Sequence, residues 1–186
     1  MPDFDESLCI RNAQQGDEKA FHQLIHTYYI TVERFARQIG VREEDLQDVT
    51  QEVFIKVYRF LNKYSRGKFS TWLYSVTLNV SKDFFRKNNR EKTKVEKSIK
   101  SAPQSYYVEN MDLSEDAHLL HVTLHSLDEK YRIPIVLFYF HDASIKEISA
   151  IMKVTEGTVK TRLKRGKDRL KTSLEEGGHR YEPQAF

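Results

Sequence analysis

The sequence is poor in the residues that build covalent or metal-held scaffolds. Its 186 residues include one cysteine, Cys9, which cannot form an internal disulfide and cannot alone make a structural zinc site. The seven histidines are scattered, and no motif joins them to carboxylates, which argues against a metal-dependent nuclease or other metalloenzyme. No apolar run approaches the roughly 20 residues that a membrane helix needs. Met1 to Asp17 is acidic and lacks a basic-then-apolar leader pattern, so the chain is expected to remain cytoplasmic. No stretch alternates as a half-buried strand does, and there is no internal repeat or low-complexity tract. Hydrophobic residues are 39%, charged residues 31%, and mean hydropathy is -0.63. A single large core is excluded by that polarity, and full disorder by the Leu, Ile, Val and Phe content. Two modest helical cores fit best.

Charge is small in sum and uneven in distribution. The net charge is +3, yet Arg86 to Lys100 holds seven bases against two acids, and Lys153 to Lys171 eight against two. Arg42 to Lys56 reverses this, with five acids against two bases. One basic run is ordinarily a solvated face. Two separate ones, each on or beside a helical pattern, point to a polyanion partner.

Nearly every apolar pattern has helical period. Asp17 to Ile39 reads as one helix, ended by Gly40, and Glu43 to Leu61 as another, with Leu46, Val49, Val53, Val57 and Phe60 on one stripe and Phe54, Tyr58 and Leu61 beside it. A loop from Tyr64 to Phe69 follows. Ser70 is the expected N-cap of a helix reaching about Lys87. Asn88 to Asp112 is polar, contains Pro103, and reads as a linker. The second half predicts helices over Ser114 to His125, Leu127 to Phe140, Ile145 to Met152 and Glu156 to Leu174. Ser126-x-x-Glu129 and Ser144-x-x-Glu147 both have the form of a capping box.

The sharpest signal is a helix-turn-helix over Ser144 to Leu170. Ile145, Ile148 and Met152 face inward from its first helix; Val159, Leu163, Gly166 and Leu170 do so from its second, with Thr155 as cap. Gly166 lies in the packed stripe, where a missing side chain lets another backbone approach. Lys153 stands at the turn where glycine is easiest. The outer surface carries Glu156, Thr158, Lys160, Thr161, Arg162, Lys164, Arg165 and Lys167. A helix of this type fits the major groove, with Glu156, Thr158, Thr161, Arg162 and Arg165 at base edges and the lysines near phosphates. The competing reading is a plain basic amphipathic helix.

On the helix from Ser70, one arc holds Trp72, Ser75, Asn79, Asp83 and Arg86, with Lys82 at its edge. An aromatic, an amide and bases in line suit single-stranded nucleic acid. The loop before it adds Tyr64, Arg66, Lys68 and Phe69, a composition able to hold an extruded base. The alternative puts Trp72 in the core. Asp45, Asp48 and Glu52, with Gln51, form an acidic row on the preceding helix. That row could face water, bind a metal or meet a basic protein; no histidine on the helix supports a metal.

Taken in order, these stretches resemble an extracytoplasmic-function sigma factor of the sigma-70 family. The resemblance rests on Asp45-Leu46-Gln47-Asp48-Val49-Thr50-Gln51-Glu52-Val53-Phe54, on Phe69-Ser70-Thr71-Trp72-Leu73-Tyr74, and on Ser144 to Ile148 continuing through Gly157 to Leu163. Ser149 departs from the usual alanine, and the Tyr64–Phe69 loop is short.

The resemblance implies an all-α fold of two small helical domains, sigma region 2 over 1–87 and sigma region 4 over 113–176, with a linker over 88–112 and a tail over 177–186. It implies that Asp45, Asp48, Gln51, Glu52 and Phe54 dock on the β′ clamp helices of core RNA polymerase. Tyr64, Arg66, Lys68, Phe69, Trp72, Ser75, Asn79, Lys82 and Arg86 would read and melt the −10 element, and the last helix would read the −35 element. Partners would be promoter DNA, core polymerase including its β flap, and an anti-sigma factor. No catalytic residue, metal, cofactor or membrane insertion is expected. A polymerase-independent helix-turn-helix regulator is the rival, and it leaves the Trp72 face and the acidic row without a role.

Overall fold

The computed structural model describes residues 5–65, 67–95 and 115–176. Among these, every regular element is helical. The chain divides into two compact units, Met1–Val95 and Glu96–Phe186. The expected site residue Arg66, the expected tail and most of the expected linker lie outside the described residues.

The first unit contains α1 (Glu6–Gln14), α2 (Glu18–Gln38), α3 (Glu43–Phe60), a 3-10 turn at Leu61–Lys63, and α4 (Phe69–Val95). The nine-residue α1 is too short to be stable alone. Asp5 caps it by accepting from the Leu8 amide at 3.0 Å, and Cys9, Ile10 and Ala13 bury its inner side. Asp17 caps α2 through the Lys19 and Ala20 amides. Gly40 ends α2 as expected: with φ at 108°, its N–H donates to Arg37 and that of Val41 to Ala36, both at 3.0 Å. This double closure satisfies carbonyls that a helix end leaves open. Arg37 then grips Glu43 through Nε and Nη2, each at 2.9 Å, and so fixes the elbow between α2 and α3. That hydrogen bond holds the Glu43 carboxyl below its usual range.

Val32, Phe35, Val49, Val53 and Leu73 are fully buried and form the centre of this unit. The second stripe expected on α3 enters it only in part. Phe54 and Leu61 are buried, but Tyr58 is 60% exposed; Phe60, expected on the first stripe, is 43% exposed. Helix α4 begins at Phe69, so Ser70 lies in its first turn. It continues to Val95, past the expected end at Lys87 and into the expected linker. Residues 88–95 contain no proline or glycine, and Arg90, Glu91, Lys92 and Lys94 are good helix formers, which continue a helix without an apolar stripe to announce it.

The second unit contains α5 (Glu115–Ser126), α6 (Glu129–Phe140), α7 (Ile145–Met152) and α8 (Glu156–Glu176). Leu124, Ile133, Val136, Leu137, Ile148 and Val159 make its core. The Ser144 capping box is complete: Glu147 N–H donates to the Ser144 hydroxyl, and the Ser144 N–H donates to the Glu147 carboxylate. The Ser126 box does not form. Ser126 is the last residue of α5 and its hydroxyl donates to the Thr123 carbonyl at 2.7 Å. Asp128 stands at the α6 N-cap without a side-chain bond, and its carboxylate lies 3.3 Å from Lys130. Arg132 is buried in α6 and donates to the His125 carbonyl at 2.7 Å.

Candidate nucleic-acid interfaces

In the second unit the helix-turn-helix forms as its spacing predicts. Lys153 takes the left-handed conformation, φ 54° and ψ 46°. Ser149, the departure from alanine, fastens this turn. Its hydroxyl donates to the Val154 carbonyl at 2.6 Å, and its own carbonyl accepts from the Lys153 and Val154 amides. The Thr155 hydroxyl accepts from the Thr158 amide at 3.2 Å and so starts α8. Val159 and Gly166 are buried on one side of α8. A Cβ at Gly166 would stand 2.7 Å from Ile135 Cδ1 and 3.2 Å from Tyr131 Cβ, which shows how close α6 and α8 lie.

The opposite side presents the expected set. Glu156, Lys160, Thr161, Lys164, Arg165 and Lys167 are exposed, and Thr158 and Arg162 are half-buried. The Thr161 hydroxyl is committed to the Gly157 carbonyl, and that of Thr158 to Thr155. Thr155, Thr158, Arg162 and Arg165 line one wall of a groove of about 530 Å³, while Lys130 and Tyr131 of α6 line the other. Lys130 is a cation that the sequence reading passed over, because it lies on a different helix from the basic run. The Tyr131 ring carries the Lys130 ammonium at 5.1 Å and the Arg169 guanidinium at 4.7 Å. Cations from two helices thus converge beside α8, as a phosphate-lined groove requires.

In the first unit, Trp72, Ser75, Asn79, Lys82 and Arg86 fall in one line along α4, within about 80° of arc at 100° per residue. Asn79 and Arg86 are exposed; Trp72, Ser75 and Lys82 are half-buried. Asp83 beside them pairs with Lys56 at 3.4 Å and with Arg86 at 3.7 Å. The aromatic side chains are arranged differently from the expectation. Phe69, expected in the strand-binding loop, is 1% exposed. It is the centre of a ring cluster, 5.2 Å from Tyr28, 5.5 Å from Tyr64 and 5.6 Å from Trp72. A large apolar ring at the first residue of a helix gains more by filling the core than by waiting in solvent. Tyr64 and Trp72 form the outer layer, with centroids 5.5 Å apart. The Tyr64 hydroxyl donates to the Gly67 carbonyl at 2.7 Å; burial, with a smaller effect of the Glu6 carboxylate, raises its pKa and keeps that proton in place. Lys68 is exposed next to this layer.

The acidic row on α3 is also partly revised. Asp48, Gln51 and Glu52 are exposed, whereas Asp45 is half-buried and paired with Arg42 at 2.8 Å. Phe54 is only 7% exposed and stacks on Tyr29 with a centroid distance of 6.3 Å. Its ring therefore lies in the core and not on the surface that carries the acidic row. Further along α3, Ile55 (37% exposed) falls between Asp48 and Gln51 in helical angle and Tyr58 falls beside Gln51, so exposed apolar surface adjoins the acidic row. Among the described residues, no group of three or more His, Cys, Asp or Glu could hold a metal ion. No described helix is long and apolar enough to cross a membrane.

Residues 24–91 match the family model of sigma-70 region 2, and residues 117–170 that of sigma-70 region 4. The chain is 30% identical over 176 residues to the ECF RNA polymerase sigma factor SigW of Bacillus subtilis, covering 89% of this chain and 94% of the relative. It is 30% identical over 182 residues to the ECF RNA polymerase sigma-E factor of Escherichia coli, covering 91% and 94%. Among solved structures it resembles the sigma factor RpoE of Bartonella quintana in complex with the anti-sigma factor NepR, with a TM-score of 0.71 at 22% identity over 84% of this chain and 98% of that one. CnrH in complex with the cytosolic domain of CnrY gives a TM-score of 0.67 at 24% identity, covering 91% and 96%. These two likenesses establish the fold.

Proposed function

We propose a division of labour for this chain, which belongs to the extracytoplasmic-function sigma factors of the sigma-70 family. The chain directs core RNA polymerase to promoters and assists their opening. Within it, residues 1–87 and the remainder of α4 bind polymerase and the −10 element, and residues 113–176 bind the −35 element. The residues over 88–112 join them. The observation that supports this reading is that the two units present different surfaces: a groove beside α8 lined by cations of two helices, and a line of Trp72, Asn79 and Arg86 over a layered aromatic cluster.

Duplex recognition falls to α8. Arg162 and Arg165 read base edges, while Lys130, Lys160, Lys164 and Lys167 hold phosphates. Strand capture falls to Tyr64, Lys68, Trp72, Ser75, Asn79, Lys82 and Arg86. Stacking of about 1–3 kcal/mol per base offsets an unstacking cost of a few kcal/mol. Phe69 supports this layer from beneath. Asp48, Gln51 and Glu52, with Ile55 and Tyr58, meet the polymerase β′ clamp helices, and the second unit meets the β flap. The protein binds and positions without catalytic chemistry of its own and acts in the cytoplasm. An anti-sigma factor holds it inactive; the similar fold of RpoE is bound to the anti-sigma factor NepR in its solved complex.

Transcription in vitro with purified core polymerase on a promoter library tests the reading. Initiation from templates sharing two elements at a fixed spacing is expected. A chain that binds core polymerase but directs initiation on none of them, while binding duplex DNA tightly alone, would leave the polymerase-independent regulator as the better account.

A further inference from the structure

We propose that Gln14, at the end of α1, is a positioning residue for capture of the −10 strand. Helix α1 lies outside the surface assigned to DNA, yet it reaches the α3–α4 connection directly through Gln14 and, by way of Tyr28 of α2, through Glu6. The Gln14 amide nitrogen donates to the Leu61 carbonyl at 2.9 Å and to the Tyr64 carbonyl at 2.8 Å. Those are the first residue of the 3-10 turn and the residue that follows it, so one side chain fixes both ends of that turn. At the other end of α1, the Glu6 carboxylate accepts from the Tyr28 hydroxyl, and the Tyr28 ring packs on Phe69.

These contacts lead directly to the assigned strand-binding layer. Tyr64, held through its carbonyl by Gln14, holds Gly67 through its hydroxyl and packs against both Phe69 and Trp72. Gly67 lies at φ 91°, nothing stands within 4 Å of where its Cβ would be, and Ser65, Gly67 and Lys68 are exposed. A primary amide suits the task because it offers two N–H groups in fixed directions, one for each carbonyl. Preorganising the layer means that the strand does not order it on binding. The inference rests on the assignment of Tyr64 and Trp72 to the −10 strand.

The test uses the full chain with Gln14→Met, which keeps length without donors, and Gln14→Glu, which presents acceptors to acceptors. Trp72 is the only tryptophan in the sequence, so its fluorescence reports on this layer alone. Three readouts are compared with the unsubstituted chain: acrylamide quenching of Trp72, affinity for core polymerase, and affinity for the single-stranded −10 segment recovered from the promoter library. Expected are unchanged helix content and polymerase affinity, stronger quenching, and strand affinity about tenfold weaker, as the loss of one to two net hydrogen bonds implies. Gln14→Lys, which restores donors, should recover part of the strand affinity. If the unsubstituted chain binds no single strand, the −10 assignment fails and the inference falls with it. If that chain binds and both variants bind equally well, or if both variants lose polymerase and strand affinity together with their fold, the positioning role alone is overturned.

Discussion

Gly166→Ala is the substitution whose outcome the packing of the second unit decides most sharply. In an exposed helix interior the change would stabilise by about 1 kcal/mol, because alanine has the better helical propensity. At this position the new methyl would meet Ile135 Cδ1 at 2.7 Å, Tyr131 Cβ at 3.2 Å and the Tyr131 carbonyl oxygen at 3.4 Å. Ile135 is 3% exposed and Tyr131 6%, so both are packed inside the unit and the new methyl is placed against core side chains. Tyr131 is further held by the cations of Lys130 and Arg169 over its ring. Overpacking of this kind costs about 1–3 kcal/mol, so the net effect is a destabilisation on the order of 1 kcal/mol, felt at the contact that seats α8. Urea unfolding of the full chain measures it, followed by far-UV circular dichroism for both units and by Trp72 fluorescence for the first alone. The circular dichroism midpoint should fall and the fluorescence midpoint should not. Ile135→Val removes the colliding Cδ1 and costs about 0.5–1.5 kcal/mol alone. The double variant should therefore be more stable than the sum of the singles, by an amount on the order of 1 kcal/mol. A Gly166→Ala chain that is stabilised by about 1 kcal/mol, with no coupling to Ile135→Val, would refute the close approach of α6 and α8.

Three further outcomes follow from the same contacts. His125 is buried, and burial first, then His121 and Arg132, lower its pKa to about 3. An unfolded His near 6.5 binds its proton more readily, so stability present above about pH 6.5 is lost as pH falls toward 3. The slope is about 1.4 kcal/mol per pH unit for one proton. After correction for chemical exchange, which itself slows as pH falls, the protection of α5 and α6 amides should drop between pH 6.5 and 5.5 in the full chain and less so in His125→Gln; equal slopes in both would exclude His125 as the cause. Lys153→Gly should stabilise the second unit by about 0.5–1 kcal/mol in urea, since relief of left-handed strain exceeds the entropic cost of glycine. A loss of stability there would mean that the lysine side chain holds the turn. Arg165→Ala should weaken −35 binding by about 1–3 kcal/mol and relax the preference at one base pair, whereas Lys164→Ala should weaken all sequences alike and lower the salt slope by about one. Identical behaviour of the two variants, measured by binding titrations at several salt concentrations, would contradict the assignment of arginine to base edges and lysine to phosphates.

Much of the fold was legible because its signals are local. The end of α2 closes through the Gly40 bond to the carbonyl three residues back and the Val41 bond to the carbonyl five residues back, and the Ser144 box spans four residues. The apolar spacing of α8 left Gly166 in a packed stripe, where α6 is found. Local reading also misled where two arrangements share one pattern. Ser126-x-x-Glu129 has the same form as Ser144-x-x-Glu147, but Ser126 is still helical and spends its hydroxyl on Thr123. Helix α1 has too few apolar residues to declare itself, and it is held by burial against α2 rather than by its own propensity.

The candidate sites were legible by line and not by depth. Helical spacing placed Asp48, Gln51 and Glu52 on one arc and Trp72, Asn79 and Arg86 on another, and both arcs are exposed or half-buried. Spacing cannot say which of two neighbouring aromatics is covered by a different helix. Phe54 meets Tyr29 of α2 and Phe69 meets Tyr28 of α2, so both withdrew from the surface for reasons lying some 25 to 40 residues away in the chain. In the proposed reading Phe69 still serves strand capture from its buried position. Tyr64 and Trp72 can offer flat faces to a strand only if something rigid lies behind them, and Phe69 fills that place. A chain that must pull bases out of a duplex benefits from an aromatic layer already ordered before the strand arrives, because ordering on binding would subtract from the same few kcal/mol that stacking supplies. The proposed melting role rests on the division between a buried supporting ring and half-buried outer rings, and that division arises from tertiary contacts that helical spacing alone does not encode.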